Sequence, residues 1–325
     1  MARSLRVEYP GAVYHVLNRG NYRKPVFGTP ETRDAFERCL FQACQRCAWR
    51  LYAYVTLSNH YHIALETPEG NLTVGMQWLQ STFANRFNRA HKAHGHLFQG
   101  RFRSLVVERD EYLGPLIHYI HLNPVRAGLV TTEKMESYRW SSFWYLNNKR
   151  KRKDCMELGL GLYYAGNLAD TSRGHRLYRD YLACLQGDAP MTRQLQFAKM
   201  CRGWALGCKE FKKELVERHL PVGAAGHLEG ADLQEANQIR WETMIDACMK
   251  ALGKTEDDVQ SDKKAARWKV MIAYFMRERT SVSNVWLTKR LEMGVPQGVS
   301  RSIRLFVEDD GPKQRDYKQM LKITA

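Results

Sequence analysis

The sequence predicts an α+β N-terminal part followed by an all-helical C-terminal part. Three observations carry that reading. Residues 51–66 alternate with a period of two on either side of a turn, the mark of an antiparallel hairpin. From Leu72 the apolar period lengthens to helical steps through Met76, Leu79, Phe83 and Phe87. Beyond residue 236 the apolar positions fall at helical spacing, as in Trp241, Ile245 and Cys248, then Val270, Ala273 and Tyr274.

Each element has its own signal. Ala12–Leu17 is strand-like. Thr29 before Pro30 is a helix start, with Phe36, Leu40 and Ala43 at helical spacing behind it. Cys44 and Cys47 form a CxxC on this helix, but no second pair lies nearby, so they read as partly buried small residues. In the hairpin, Leu51, Ala53, Val55 and Leu57 share one face, and Tyr52, Tyr54 and Thr56 the other. Ser58-Asn59 is the turn. His60 and His62 then share a face, while Tyr61, Ile63 and Leu65 point to the core. Phe102–Val107 is the next strand. Asp110 is expected to cap a helix that buries Leu113, Ile117 and Ile120, runs to about His121 and is stopped by Asn123-Pro124. Lys149–Lys153 is an unbroken basic run and a domain-boundary signal. The expected organisation is a domain over 1–148, a basic linker and helical connector over 149–235, and a helical domain over 236–325.

Composition narrows the function. The chain has 325 residues, 44% of them hydrophobic, which excludes a disordered chain. No run approaches the ~18 apolar residues of a membrane span, so no membrane partner is expected. The start lacks an apolar leader segment, and the eight cysteines are scattered, as suits unpaired thiols in a reducing cytoplasm. The net charge is +16, and it is unevenly placed. Residues 1–153 hold 23 Lys/Arg against 11 Asp/Glu, residues 154–262 hold 13 against 17, and residues 263–325 hold 14 against 6. Two basic blocks flanking an acidic middle point to a polyanion, most simply nucleic acid, and to a nucleoid-associated location. There is no P-loop pattern, so the chain is not expected to carry an ATP motor.

Two histidines one residue apart on a strand set two imidazoles side by side, a good start for a divalent metal site. The helix ending near Asn123 offers Tyr119 and Asn123 at i and i+4, hence on one face. Tyr112, seven residues before Tyr119, falls on roughly the same face and is the runner-up to Tyr119 as a nucleophile. His91, His94 and His96 form an HxxHxH cluster without a carboxylate or thiol beside it, better suited to phosphate contact. His121 is expected to point toward DNA.

These residues resemble a known family. Ser58-Asn59-His60-Tyr61-His62 resembles the HUH motif of single-tyrosine transposases. So do His96-Leu-Phe-Gln-Gly-Arg-Phe-Arg103, Tyr119-Ile-His-Leu-Asn-Pro-Val-Arg-Ala-Gly-Leu-Val130 and Trp140-Ser-Ser142. The branch they resemble most is the REP-associated tyrosine transposases, and the resemblance covers roughly residues 6–146. It implies a ferredoxin-like antiparallel sheet carrying the histidines, with Mg²⁺ or Mn²⁺ as cofactor and hairpin-forming single-stranded DNA as substrate. It implies His60 and His62 as metal ligands, Asn123 as a third and Tyr119 as nucleophile. The implied activity is that of an endonuclease and strand transferase working through a 5′-phosphotyrosine. A bihistidine site is expected to favour Mn²⁺ in vitro. The competing readings are a non-catalytic DNA-binding regulator on the same fold and an RNA-binding protein.

The candidate DNA contacts are Arg86, Arg89, Arg101, Arg103, Arg126, Lys149, Arg150 and Lys151. Near the C-terminus, Ser283–Val295 resembles the first helix and turn of a helix-turn-helix, with Gly294 in the turn. Gln297–Phe306, with Arg301 and Arg304, is then the recognition helix, aimed at duplex DNA. The expected state is a monomer or homodimer.

Overall fold

The computed structural model describes residues 6–190, 197–220, 228 and 230–323. Elements follow in the order β1 (Ala12–Arg19), α1 (Pro30–Arg46), β2 (Arg50–Thr56), β3 (His60–Thr67), α2 (Leu72–His91), β4 (Arg103–Val107) and α3 (Arg109–Arg126). Then come α4 (Trp144–Asn147), α5 (Gly159–Tyr164), α6 (Ser172–Gly187), β5 (Ala205–Leu206) and α7 (Lys209–His219). The chain divides into two units, 1–212 with 219–232, and 213–218 with 233–325.

Local chemistry starts the first unit as the sequence predicts. The Thr29 hydroxyl accepts from the Thr32 N–H, and Pro30 holds the first helical position, so α1 begins where its cap dictates. Phe36, Leu40, Ala43 and Cys44 line its buried side. The sheet order is β2-β3-β1-β4-β5. The first four strands pair antiparallel, but β5 joins β4 in parallel, so the sheet is mixed rather than antiparallel throughout. Val106 N–H donates to the Trp204 carbonyl at 3.0 Å and Glu108 N–H to that of Leu206 at 2.8 Å. These bonds satisfy the backbone of β4, which would otherwise be an open edge.

Both faces of the sheet are covered. Tyr61 packs on Phe36 at 4.7 Å between ring centres, and Phe36 on Phe83 at 5.3 Å, so α1 and α2 share one face. Helix α3 lies against β2 and β3 on the other. Three expectations about detail are corrected. A bulge between Leu51 and Ala53 turns Leu51 away from the face of Ala53 and Val55, and pairs it with Leu65. Asp110 does not cap α3. It sits in the first turn with Glu111, where both carboxylates favour the helix dipole. Nor does Asn123-Pro124 end the helix, which runs on to Arg126. The Ala127 N–H closes on the Asn123 carbonyl at 2.9 Å, and the Asn123 amide donates to the Tyr119 carbonyl at 2.8 Å, so hydrogen bonding persists around the proline.

The basic run read as a boundary lies inside the first unit. Lys149 and Arg152 both pair with Asp170, at 3.2 and 2.7 Å, which ties the run to the start of α6. Helix α3 is held to α6 by a buried polar network. The Tyr178 hydroxyl meets His118 Nδ1 and His121 Nδ1 at 2.9 Å each, and His121 Nε2 meets the Ser142 hydroxyl at 2.9 Å. His121 is therefore a structural residue that faces inward, not a DNA contact.

The second unit is helical where described: α8 (Gly230–Ala251), α9 (Glu256–Ser261), α10 (Arg267–Arg279), α11 (Asn284–Arg290), α12 (Pro296–Glu308) and α13 (Arg315–Ile323). Ile245, Met271, Ile272, Phe275, Leu287 and Val299 form its core. Arg290 gathers Glu242, Asp246 and Glu256 at 2.5, 3.2 and 2.6 Å. Gly294 sits at φ +87° between α11 and α12, a conformation that costs glycine little. No described helix is long and apolar enough to cross a membrane.

Gly75 marks the tightest approach of α2 to the rest of the first unit. A Cβ there would lie 2.7 Å from Trp49 Cη2 and 2.8 Å from Cys47 Sγ. Trp49 cannot swing aside, being 1% exposed and bonded through its indole N–H to Asn71 at 2.8 Å. Gly75→Ala is expected to destabilise the unit by about 1–3 kcal/mol, read as a lower urea midpoint.

Candidate active site

The site is built from one face of β1 and β3 and one face of α3. Antiparallel pairing sets Arg19 opposite His60, Leu17 opposite His62 and His15 opposite Ala64. Opposed residues share a face, so all of these look toward α3. Because α3 continues past Pro124, Tyr119, Asn123 and Arg126 lie along one stripe of it. An open cleft of about 350 Å³ results, lined by His60, His62, Tyr119 and Asn123, with Arg19, Arg101 and Arg103 also on its wall.

The histidines carry defined protons. Asn59 donates through its amide nitrogen to the Arg23 carbonyl at 3.2 Å, which turns its oxygen to His60 Nδ1 at 2.7 Å. His60 Nδ1 therefore bears the hydrogen, and Nε2 keeps its lone pair. His62 Nδ1 lies 3.0 Å from His15 Nε2. Burial, with Arg19 adding to it, pushes the His60 pKa down to about 4. Burial chiefly, then His15, His60 and Arg19, drives that of His62 well below the usual imidazole range. Both rings are thus neutral at pH 7, the form that binds a metal. A divalent cation fits this donor pair.

Tyr119 stands edge-on to His62, ring centres 5.7 Å apart, and is 8% exposed. Its hydroxyl is 3.2 Å from Cys201 Sγ. Burial raises the phenol pKa well above its ordinary value and Cys201 adds to this, while the Arg126 guanidinium, 5.4 Å from the ring centre, opposes it. Asn123 spends its amide hydrogen on the Tyr119 carbonyl, so its oxygen is what it can offer an ion.

Not every predicted site residue converges here. Arg86 lies against α1, with Cys39 Sγ and Gln42 Oε1 each at 3.2 Å, and Arg89 is exposed at the end of α2. Lys149, Arg150 and Lys151 line a separate cleft with Ser172 and His175. Arg301 and Arg304 are exposed on α12 in the second unit. His91 is stacked on Phe87 at 4.0 Å. Cys44 and Cys47 are buried, as read from the sequence.

Sequence reasoning missed His15, Asn59 as a partner of His60, and Cys201. Among the described residues, the His/Cys/Asp/Glu side chains close enough to share an ion are His15, His62 and Cys201, and not the HxxHxH stretch. Period-two alternation in β1 marks His15 as facing with Leu17, but only the pairing register shows that the face is that of His62. Nothing local marks Cys201.

The family model described as IS200-like transposase matches residues 9–123, the stretch that holds both histidines, Tyr119 and Asn123. This segment is therefore similar to IS200-like transposases. A Haemophilus influenzae protein named as a REP-associated tyrosine transposase is 26% identical over 124 residues, 35% of this chain and 67% of that protein. A solved structure of a REP-associated tyrosine transposase bound to a REP hairpin is similar at 17% identity and a TM-score of 0.38. The match covers 47% of this chain and 89% of that one. The family resemblance read from the HUH and tyrosine motifs is borne out.

The first unit carries a pH signature. Burial lowers the pKa of His15 and His60 to about 4 and that of His118 and His121 to about 3. The unfolded chain takes up these protons near pH 6.5, the folded one only near 4 or below. Stability is therefore full above pH 6.5 and is lost as pH falls toward 4, by about 1.4 kcal/mol per pH unit for each histidine. The urea midpoint measured between pH 7 and 4.5 should fall steeply, and a flat profile would contradict the buried, neutral histidines.

Proposed function

We propose that the chain is a metal-dependent endonuclease and strand transferase for hairpin-forming single-stranded DNA. The observation that carries the reading is the convergence, in one arginine-walled cleft of a unit similar over residues 9–123 to IS200-like transposases, of a tyrosine hydroxyl with two neutral imidazoles. His60 and His62 would hold the cation, with the Asn123 oxygen as third donor. A bound Mg²⁺ or Mn²⁺ supplies positive charge to the scissile phosphate and eases departure of the 3′ oxygen. Arg19, Arg101 and Arg103 bind the DNA phosphates and orient them. Tyr119 forms the new O–P bond, the P–O3′ bond breaks, and the phenolic proton ends on the released 3′ hydroxyl. The phosphodiester energy is kept in the 5′-phosphotyrosine, so a second 3′ hydroxyl can reverse the step without ATP. The preference for hairpins rests on the resemblance to REP-associated transposases.

Tyr119 is a poor nucleophile at rest, with a raised pKa and its hydroxyl on Cys201. That observation favours one competitor, a DNA-binding regulator that has kept the domain and lost strand transfer. End-labelled hairpin DNA incubated with the protein and Mn²⁺ separates the two. A covalent adduct on a denaturing gel, lost in Tyr119→Phe and in His62→Ala, is the expected result. Tight hairpin binding with no adduct in the wild type favours the regulator.

We read α11, the Gly294 turn and α12 as a helix-turn-helix for duplex DNA. Its support is the Ser283 cap on α11, the buried Leu287, Leu291 and Val299 beneath it, and the outward Arg301 and Arg304. If each arginine neutralises one phosphate, replacing both with alanine lowers the slope of log affinity against log salt by about two. An unchanged slope in a duplex-binding titration removes α12 from the interface.

A further inference from the structure

His15 belongs to neither the HUH motif nor the tyrosine motif, yet it is fully buried and touches a proposed metal ligand. Its Nδ1 lies 2.7 Å from the Met200 carbonyl oxygen. A carbonyl can only accept, so Nδ1 of His15 carries the hydrogen. In the neutral ring Nε2 is then a bare lone pair. That lone pair faces His62 Nδ1 at 3.0 Å, and a bond forms there only if His62 Nδ1 is protonated. The hydrogen-bond direction therefore runs from His62 to His15 to Met200. It leaves the lone pair of His62 on Nε2.

We propose that His15 is a positioning residue that fixes the tautomer and ring orientation of His62, so that Nε2 is the nitrogen held ready for the cation. Asn59 stands to His60 in the same relation, its oxygen accepting from Nδ1 at 2.7 Å. Both imidazoles are thereby locked in the same tautomer. The two locks differ in origin. Asn59 comes from the hairpin turn beside its histidine. His15 comes from another strand, and its own orientation depends on Met200, beyond the residues 9–123 that are similar to IS200-like transposases. Outer hydrogen bonds of this kind set ligand orientation and basicity in metal sites generally.

The inference deepens the proposed function and rests on His62 as a ligand, so the test has two arms. The first needs no metal. Long-range ¹H–¹⁵N spectra of full-length, histidine-labelled protein at pH 7 should show His62 as the Nδ1–H tautomer. His15→Gln places an amide oxygen near the position of Nε2 and should preserve that tautomer, whereas His15→Leu should release it to a mixture. A wild-type His62 protonated on Nε2, or an unaltered tautomer in His15→Leu, overturns the proposal. The second arm is Mn²⁺ affinity by calorimetry. His15→Leu should weaken it about 10- to 100-fold and His15→Gln only about threefold or less. Wild-type affinity in a folded His15→Leu protein overturns the role. Should His60→Ala and His62→Ala also bind Mn²⁺ like the wild type, it is the metal reading that fails, and the tautomer spectra still decide the role of His15.

Discussion

The pairing of β1 with β3 determines the geometry of the cleft. Leu17 opposes His62 and Arg19 opposes His60, so the face that carries the two imidazoles also carries His15 and an arginine. A slip of one residue would turn all of them to the opposite face, among Phe36 and Phe83 and away from the cleft. The register is held because that opposite face is densely apolar. Tyr61, Ile63 and Leu65 are wholly buried there, and a slip of one residue would move such side chains off that face.

On the cleft side the sheet meets a helix fastened by polar bonds. His118 and His121 share the Tyr178 hydroxyl, and Arg109 at the start of α3 pairs with the buried Glu66. Glu66 also accepts from the Tyr52 hydroxyl. Buried groups left unpaired would cost more than these bonds return, so the network specifies one placement of α3 over the sheet. That placement aims Tyr119 at His62. The continuation of α3 through Pro124 then adds Arg126 to the stripe that Tyr119 and Asn123 begin.

Residues 197–208 form the remaining wall. Phe197 packs on the Tyr119 ring at 5.6 Å, the Met200 carbonyl meets His15, Cys201 meets the Tyr119 hydroxyl, and β5 zips onto β4. This stretch lies far along the chain from the motifs, yet it supplies a hydrogen-bond partner to both the tyrosine and the histidine relay. It also accounts for the low exposure of Tyr119. A segment outside residues 9–123 thus contributes to the chemical environment of the motif residues in the cleft.

Much of this was legible in the amino-acid sequence because it depends on neighbours. Alternation in 51–66 reports which residues share a face of a strand, helical spacing from Leu72 reports which side of α2 is buried, and a Thr-Pro pair favours a helix start through its own chemistry. The pairing of His60 with His62, and of Tyr119 with Asn123, likewise follows from strand and helix periods. Other features were decided by contacts distant in sequence. The bulge at Leu51, the persistence of α3 past Asn123-Pro124 and the parallel β5 each answer a packing or hydrogen-bond demand from another element. His15 and Cys201 are silent in the sequence for the same reason. An isolated histidine in a strand and a single cysteine in a loop acquire meaning only when the sheet register and the returning chain bring them within hydrogen-bond reach of His62 and Tyr119.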